Sequence, residues 1–267
     1  MNLMGAILLL INMMGSFETN AVLLFASRGS TEWVEENKEI LASRAVAYLN
    51  VDCAVGGPGF HVLATPQLDE LIIKATQQVT DLDNSSQSIY ESWTGSGSSP
   101  LIGRLGGGGS DYAAFVQHMG IPAADIAFGG AASVWELIAL WLADEEFLPF
   151  DYLSYAKELE EIEASKGWTT WKKDHLKVRE INDRLMMAER AFTDRDGLFG
   201  MSWYKHLIYG PSKHNDYGSQ SFPGIDDAVK LAKTLHNAES WHRVQHEVWR
   251  DSRVIRQASL VLFGQLT

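Results

Sequence analysis

The chain has 267 residues, 46% of them apolar and 21% charged, enough to bury a sizeable core and to exclude a globally disordered protein. Its 34 acidic against 22 basic residues leave a net charge of −12, which argues against nucleic acid and anionic membrane surfaces as partners. The single cysteine, Cys53, excludes an internal disulfide.

Met1 to Met14 is apolar but too short to span a bilayer, which takes ~20 residues. It reads either as the apolar region of a signal peptide, although no Lys or Arg precedes it, or as a buried strand. Ala21 to Ala26 reads as a short buried strand that Gly29-Ser30 ends. Thr31 then caps a helix over Glu32 to Ser43, with Glu35 and Glu36 where the helix dipole favours them. Ala45 to Asp52 is the next strand, so the unit is β-α-β and predicts a parallel sheet. Gly56-Gly57-Pro58-Gly59 is a turn. A helix over Pro66 to Val79 follows, with Leu68, Leu71, Ile72, Ala75 and Val79 at helical spacing. Thr94 to Ser99 is a loop. The glycine run Gly106 to Gly109 leads through Ser110-Asp111 into a helix ending near His118, and Gly120 to Phe128 predicts a last strand.

Beyond Gly129-Gly130 the character becomes helical, over Val134–Phe147, Tyr155–Ala164, His175–Phe192, Gly224–His236 and Trp241–Phe263. A boundary between an α/β part and a helical part is expected near Leu148-Pro149.

Asp52 is the residue with most to say about chemistry. A carboxylate closing a buried strand stands where open α/β sheets place ligands and metals, and a metal site needs several convergent partners. The glycine run is either an anion cradle or a tight turn with Ser110 or Asp111 capping the helix. It has neither a P-loop Lys-Ser/Thr nor a dinucleotide fingerprint. His242 and His246 are one helical turn apart, as metal ligands can be, but Glu239, Glu247 and Asp251 around them suit a solvated face. Cys53 has no general base nearby and reads as a small buried residue. His214 to Tyr217 lies between Gly-Pro punctuation and reads as an ordered loop. Seven tryptophans crowd the helical half, where they suit core or a subunit interface. Asn84-Ser85-Ser86 matches a glycosylation acceptor.

Several landmarks appear together and in order: Gly29-Ser-Thr-Glu-Trp-Val-Glu-Glu-Asn37, Val46-Ala-Tyr-Leu-Asn-Val-Asp52, Ser88-Ile-Tyr-Glu-Ser-Trp93, Gly109-Ser-Asp-Tyr112, Leu185-Met-Met-Ala-Glu-Arg-Ala-Phe192, Pro211-Ser-Lys-His-Asn-Asp-Tyr217 and Ser221-Phe-Pro-Gly-Ile225. From about Leu23 onward the chain resembles glutamate carboxypeptidase II and its plant relatives. The resemblance implies an α/β plus α architecture. An atypical lead over 1–22 precedes a partial zinc-peptidase domain with a parallel-type sheet over 23–147. A transferrin receptor-like helical dimerisation domain covers 148–267. It implies a family that uses two zinc ions to polarise the scissile carbonyl and activate water, with a glutamate as general base, and that releases C-terminal acidic residues from small peptides. By the same resemblance Asp52 falls on a zinc ligand, Gly109 and Ser110 on a Gly-Asn pair lining the substrate cleft, and Tyr217 on a tyrosine that contacts the C-terminal carboxylate. The expected partners are a small acidic peptide and, through the helical domain, a second copy or an intact relative. The family is membrane-anchored in the secretory pathway, and the anchor has no counterpart here.

The departures from the pattern bear on activity. Where the family has the carboxylates of its general base and a zinc ligand, this chain has Phe25-Ala-Ser-Arg28. The histidine-bearing segment expected after Phe128 is missing, because Gly129-Gly130 runs directly into Ala131-Ala-Ser-Val-Trp135. Two cleft arginines of the animal enzymes correspond to Asp125 and Ala127, and the lysine that grips the substrate glutamate corresponds to Asp216. One carboxylate cannot hold two zinc ions against water, so the chain is expected to retain no zinc and to have no catalytic residue. The lost strands are expected to leave one sheet edge bare.

Overall fold

The structure is a computed structural model and describes residues 29–50, 59–95, 99–127, 131–145, 147–152, 175–212 and 215–265. The expected strand at Ala21–Ala26, the apolar lead, Cys53, Asp52 and the helix at Tyr155–Ala164 lie outside the described residues.

Helix α1 (29–36) is already running two residues before Thr31, so Thr31 is not its cap. Asn37 interrupts it, donating its side-chain N–H to Trp33 O at 2.8 Å, and α2 (Lys38–Arg44) follows. Strand β1 (Tyr48–Asn50) then leads to β2 (His61–Ala64). Pro66–Leu68 forms a tight 3-10 turn into α3 (Asp69–Gln78), and α4 (Ile89–Thr94) comes next. Ser88 and Glu91 close the start of α4 reciprocally, each side chain taking the other's backbone N–H. The two-residue β3 (Gly103–Arg104) precedes the glycine run. Ala114–His118 is a wide, π-type helical turn, followed by β4 (Ala123–Ala127) and α5 (Ala131–Asp144). The helical part holds α6 (His175–Arg190), the hairpin β5 (Tyr209–Ser212) and β6 (Asn215–Ser221), α7 (Pro223–Leu235) and α8 (Ala238–Leu262). Among the described residues no helix is long and apolar enough to cross a membrane.

The four-stranded sheet has the order β1-β4-β2-β3 and is mixed, not parallel throughout. β1 runs parallel to β4, with Asn50 opposite Asp125, but β2 is antiparallel to β4. The ten residues between β1 and β2 are too few for a helical crossover, so the chain reverses there. Both faces of the sheet are covered. Leu49, Val62, Ala124 and Ile126 pack with Leu71 and Ile72 of α3 and Ile138 and Leu142 of α5. Tyr48 points to the opposite face, stacked on Phe115 at 4.0 Å, with Val34, Leu41 and Ile121. A third core joins Phe192, Leu198, Leu207 and Ile208 to Val254 and Ala258 of α8.

Two polar side chains stitch the helical part to the sheet. Arg190, at the end of α6, donates to the carbonyls of Ala45 (2.6 Å) and Leu41 (3.3 Å), and also to Met186 O. Burial lowers its guanidinium to about 10, so it stays charged at neutral pH. Gln117, fully buried in the π-type turn, donates to Tyr209 O at 3.0 Å and receives the N–H groups of Lys205 and His206 on its own carbonyl. His206 completes the joint. Its Nδ1 accepts the Tyr209 N–H at 3.1 Å, which leaves Nε2 to carry the proton toward Glu189 Oε1 at 3.1 Å, with both side chains fully buried.

On α8, Arg250 bridges Glu247 (3.0 Å) and Asp194 (2.8 Å), and Arg253 also pairs with Asp194. Burial opposes ionisation of Asp194, yet these hydrogen bonds hold its carboxyl below the ordinary range. Asp251 is the opposite case. It is 4% exposed, and its Oδ2 has no hydrogen-bond partner among the described residues.

Two outcomes follow. Arg190→Met takes the guanidinium donor from the buried Ala45 carbonyl and a second hydrogen bond from Leu41 O, which keeps the Ala45 N–H, at a cost of roughly 3 kcal/mol, or a drop of roughly 6–12 °C in melting temperature. An unchanged thermal melt by circular dichroism would contradict this role. Burial, then the charge of Glu247, raises the Asp251 carboxyl from 3.8 to about 7. The folded protein therefore keeps a proton that the unfolded chain releases, and stability falls as pH rises from about 4 to about 7. Asp251→Asn is expected to remove that fall, raising stability at pH 8 by at most about 4 kcal/mol while leaving pH 4 nearly unchanged. Denaturant melts across pH decide it, and a parallel offset at every pH would rule the account out.

Candidate functional site

The cluster that gathers the sequence-derived candidates begins at the end of β1. Asn50 closes an apolar strand with a buried amide, 1% exposed, and such a group must be satisfied locally. Its Oδ1 accepts the Tyr48 hydroxyl at 3.1 Å. Its Nδ2 donates to Ser110 Oγ at 3.1 Å and to Asp125 Oδ1 at 2.9 Å. One amide thus joins β1, the directly opposed residue of β4 and the residue that ends the glycine run. Ser110 also gives its backbone carbonyl to the N–H of Ala113 at 3.0 Å, and Asp111 accepts the Ser30 hydroxyl at 2.6 Å. Ser110 and Asp111 are buried, and Gly109 is half-buried beside them.

Two glycines of the run, Gly106 and Gly108, are closely approached by what packs on them. A Cβ at Gly106 would overlap Ser219 Oγ of β6, and a Cβ at Gly108 would stand 2.7 Å from Tyr204 Oη. The run is therefore a surface on which the β5–β6 hairpin lies in near-backbone contact. Tyr217 lies in that hairpin. Pairing shifts register between Pro211 and Ser212, from Pro211↔Ser219 to Ser212↔Asn215, so Tyr217 occupies the irregular stretch of β6. The segment read as an ordered loop is a hairpin, and Ser219 is the described contact that brings it to the run bearing Gly109 and Ser110.

Next to the run, Arg104 binds Asp69 through both guanidinium nitrogens at 2.7 and 2.6 Å. Burial raises the Asp69 carboxyl against the pull of Arg104. Burial likewise raises the Tyr209 hydroxyl at the base of the hairpin. The Asn50 cluster brings together two carboxylates, Asp111 and Asp125, with neutral hydroxyls and an amide. Zinc takes three or four converging His, Cys or carboxylate ligands, and this set does not fit it. Among the described residues no three of His, Cys, Asp and Glu converge as a metal site requires. His242 and His246 are exposed on α8.

Sequence reasoning passed over Asn50 and overlooked the coupling through Gln117. The signal for Asn50 was present, as a single polar residue in an apolar strand two residues before Asp52. No local pattern marked Gln117, whose partners are more than 85 residues away.

Comparison with known proteins places these features. A family model described as the transferrin receptor-like dimerisation domain matches residues 151–262. The probable glutamate carboxypeptidase LAMP1 of Arabidopsis thaliana is 55% identical, over 89% of this chain and 43% of that protein. The probable glutamate carboxypeptidase VP8 of Zea mays is 35% identical, over 91% of this chain and 43% of that protein. A more distant relative, the inactive zinc metalloprotease C354.09c of Schizosaccharomyces pombe, is 25% identical, over 77% of this chain and 34% of that protein. The chain thus spans less than half the length of the curated relatives it matches. The LAMP1 match runs over 295 aligned positions, more than the 267 residues here, so it includes positions with no counterpart in this chain. These likenesses and the quoted motifs agree: the chain belongs to the glutamate carboxypeptidase II-like family, among its plant members, and carries a transferrin receptor-like dimerisation domain in its C-terminal part.

Proposed function

We propose that this chain is a non-hydrolysing, dimerising member of the family, keeping the scaffold of a peptide cleft without the chemistry. The observation that carries the reading is Phe25-Ala-Ser-Arg28, which stands where the family pattern places its general base and a zinc-ligand carboxylate. Asp52 remains as a zinc-ligand position, but a lone carboxylate supplies neither the affinity nor the geometry that two ions need. Zinc, when bound, supplies a polarised carbonyl and an activated water, and no residue named here takes that water's proton.

The cleft also disfavours the family's peptide. Asp125 is tied through Asn50 to Ser110, so a carboxylate stands in the cluster where the animal enzymes have an arginine. A C-terminal acidic residue approaching Gly109, Ser110 and Tyr217 would meet like charge. The names of the relatives accommodate both possibilities, since two are called probable glutamate carboxypeptidases and one an inactive zinc metalloprotease.

For dimerisation the supporting feature is α8. Trp241, Val248 and Ile255 recur every seven residues and are 47, 44 and 41% exposed, an apolar stripe on one helix face. The partner in this reading is a second copy.

Purified full chain is expected to carry no stoichiometric zinc by elemental analysis and to leave an acidic dipeptide uncleaved, with an intact relative as positive control. Bound zinc together with turnover would overturn the reading. In sedimentation velocity at micromolar concentration the chain is expected to run as a dimer, and Val248→Glu with Ile255→Glu to shift it to monomer without lowering its melting temperature. A folded parent chain that runs as a monomer counts decisively against the dimer.

A further inference from the structure

The turn joining α3 to α4 carries Asn84-Ser85-Ser86, the only Asn-x-Ser/Thr in the 267 residues. The turn is closed from within. Thr80 and Ser88 bridge in antiparallel fashion, Asp81 N–H donates to Gln87 O at 2.9 Å, and Gln87 N–H donates to Asn84 O at 3.0 Å. Its tip, residues 82–87, is exposed throughout. Within the tip Asn84 Oδ1 accepts two hydrogen bonds from the residue two positions on, the Ser86 N–H at 3.2 Å and the Ser86 hydroxyl at 2.7 Å. This is an Asx turn closed by a hydroxyl.

We propose that Asn84 is an acceptor for an N-linked oligosaccharide. The sequence requirement, Asn followed by any residue but proline and then Ser or Thr, is met. In the transfer, Asn84 Nδ2 attacks the anomeric carbon of an oligosaccharide carried on a lipid pyrophosphate. A nitrogen–carbon bond forms, the carbon–oxygen bond to the pyrophosphate breaks, and the lipid pyrophosphate leaves. One amide proton passes to a base of the transferase. The turn favours this step in two ways. Both hydrogen bonds enter Oδ1, which leaves Nδ2 without a partner among the described residues. The Ser86 hydroxyl draws density toward the amide oxygen, which loosens the protons on nitrogen. A glycan at this tip displaces no packed side chain, because nothing at 82–87 is buried.

The test is to express the full chain behind a cleavable secretion signal in a glycosylating eukaryotic host and to read the whole translocated pool, so that poor secretion hides nothing. One discrete step in gel mobility is expected, removed by peptide N-glycosidase. The step should vanish in Asn84→Gln and in Ser86→Ala and persist in Ser86→Thr. Because these side chains are exposed, the variants should keep the parent's melting temperature. A translocated chain that the glycosidase leaves unshifted overturns the proposal, as does a sensitive step that survives Asn84→Gln.

Discussion

The side chains of Gln117 and Arg190 carry the junction on which the cleft depends. Each is buried, each reaches across more than 85 residues of sequence, and each donates to main-chain carbonyls of the other part of the chain. Arg190 fixes the end of α6 against the α2–β1 connection. Gln117 fixes the base of the hairpin against the turn that follows the glycine run. With both in place, His206 is held in one tautomer and the hairpin has a single approach to Gly106. Gln117 Oε1 and Arg190 Nε find no hydrogen-bond partner among the described residues, so the junction rests on the donated bonds and not on a fully satisfied network.

That geometry explains how the cluster at the end of β1 holds its shape from its own side chains. Asn50, Ser110 and Asp125 satisfy one another, and the cluster needs no metal to be stable. Asp125 costs the sheet little, since its partner across the strand pair is an amide donor. Packing within the cluster is thus separable from any recognition by it.

Periodicity made the helices legible. Leu68, Leu71, Ile72 and Ala75 mark α3 to within three residues at its start and one at its end, and α6, α7 and α8 fall where the apolar spacing puts them. The strands were harder. β2 is four residues long and half exposed, β3 is two residues long, and β5 contains Gly210-Pro211, a pairing that normally marks a turn. These strands are made by their neighbours across the sheet or hairpin, and a linear pattern does not contain those neighbours. The mixed sense of the sheet was hidden for the same reason. Within the cluster, the motif residues Gly109 and Ser110 were legible because they are adjacent in sequence. Asn50 stood out as a polar residue in an apolar strand, but its pairing with Asp125 did not, because that exists only once β1 and β4 lie side by side.

Gly106 has a consequence of a different kind. Its lack of a side chain is demanded by Ser219, more than a hundred residues later, whether or not a peptide is ever cut between them. A lineage that abandons hydrolysis would still be pressed to keep Gly106 and the hairpin that rests on it, because a Cβ there overlaps Ser219. The cleft motifs therefore record shared descent and a shared shape more faithfully than they record activity. For this family, the presence of the glycine run and the hairpin is a poor gauge of which members are enzymes.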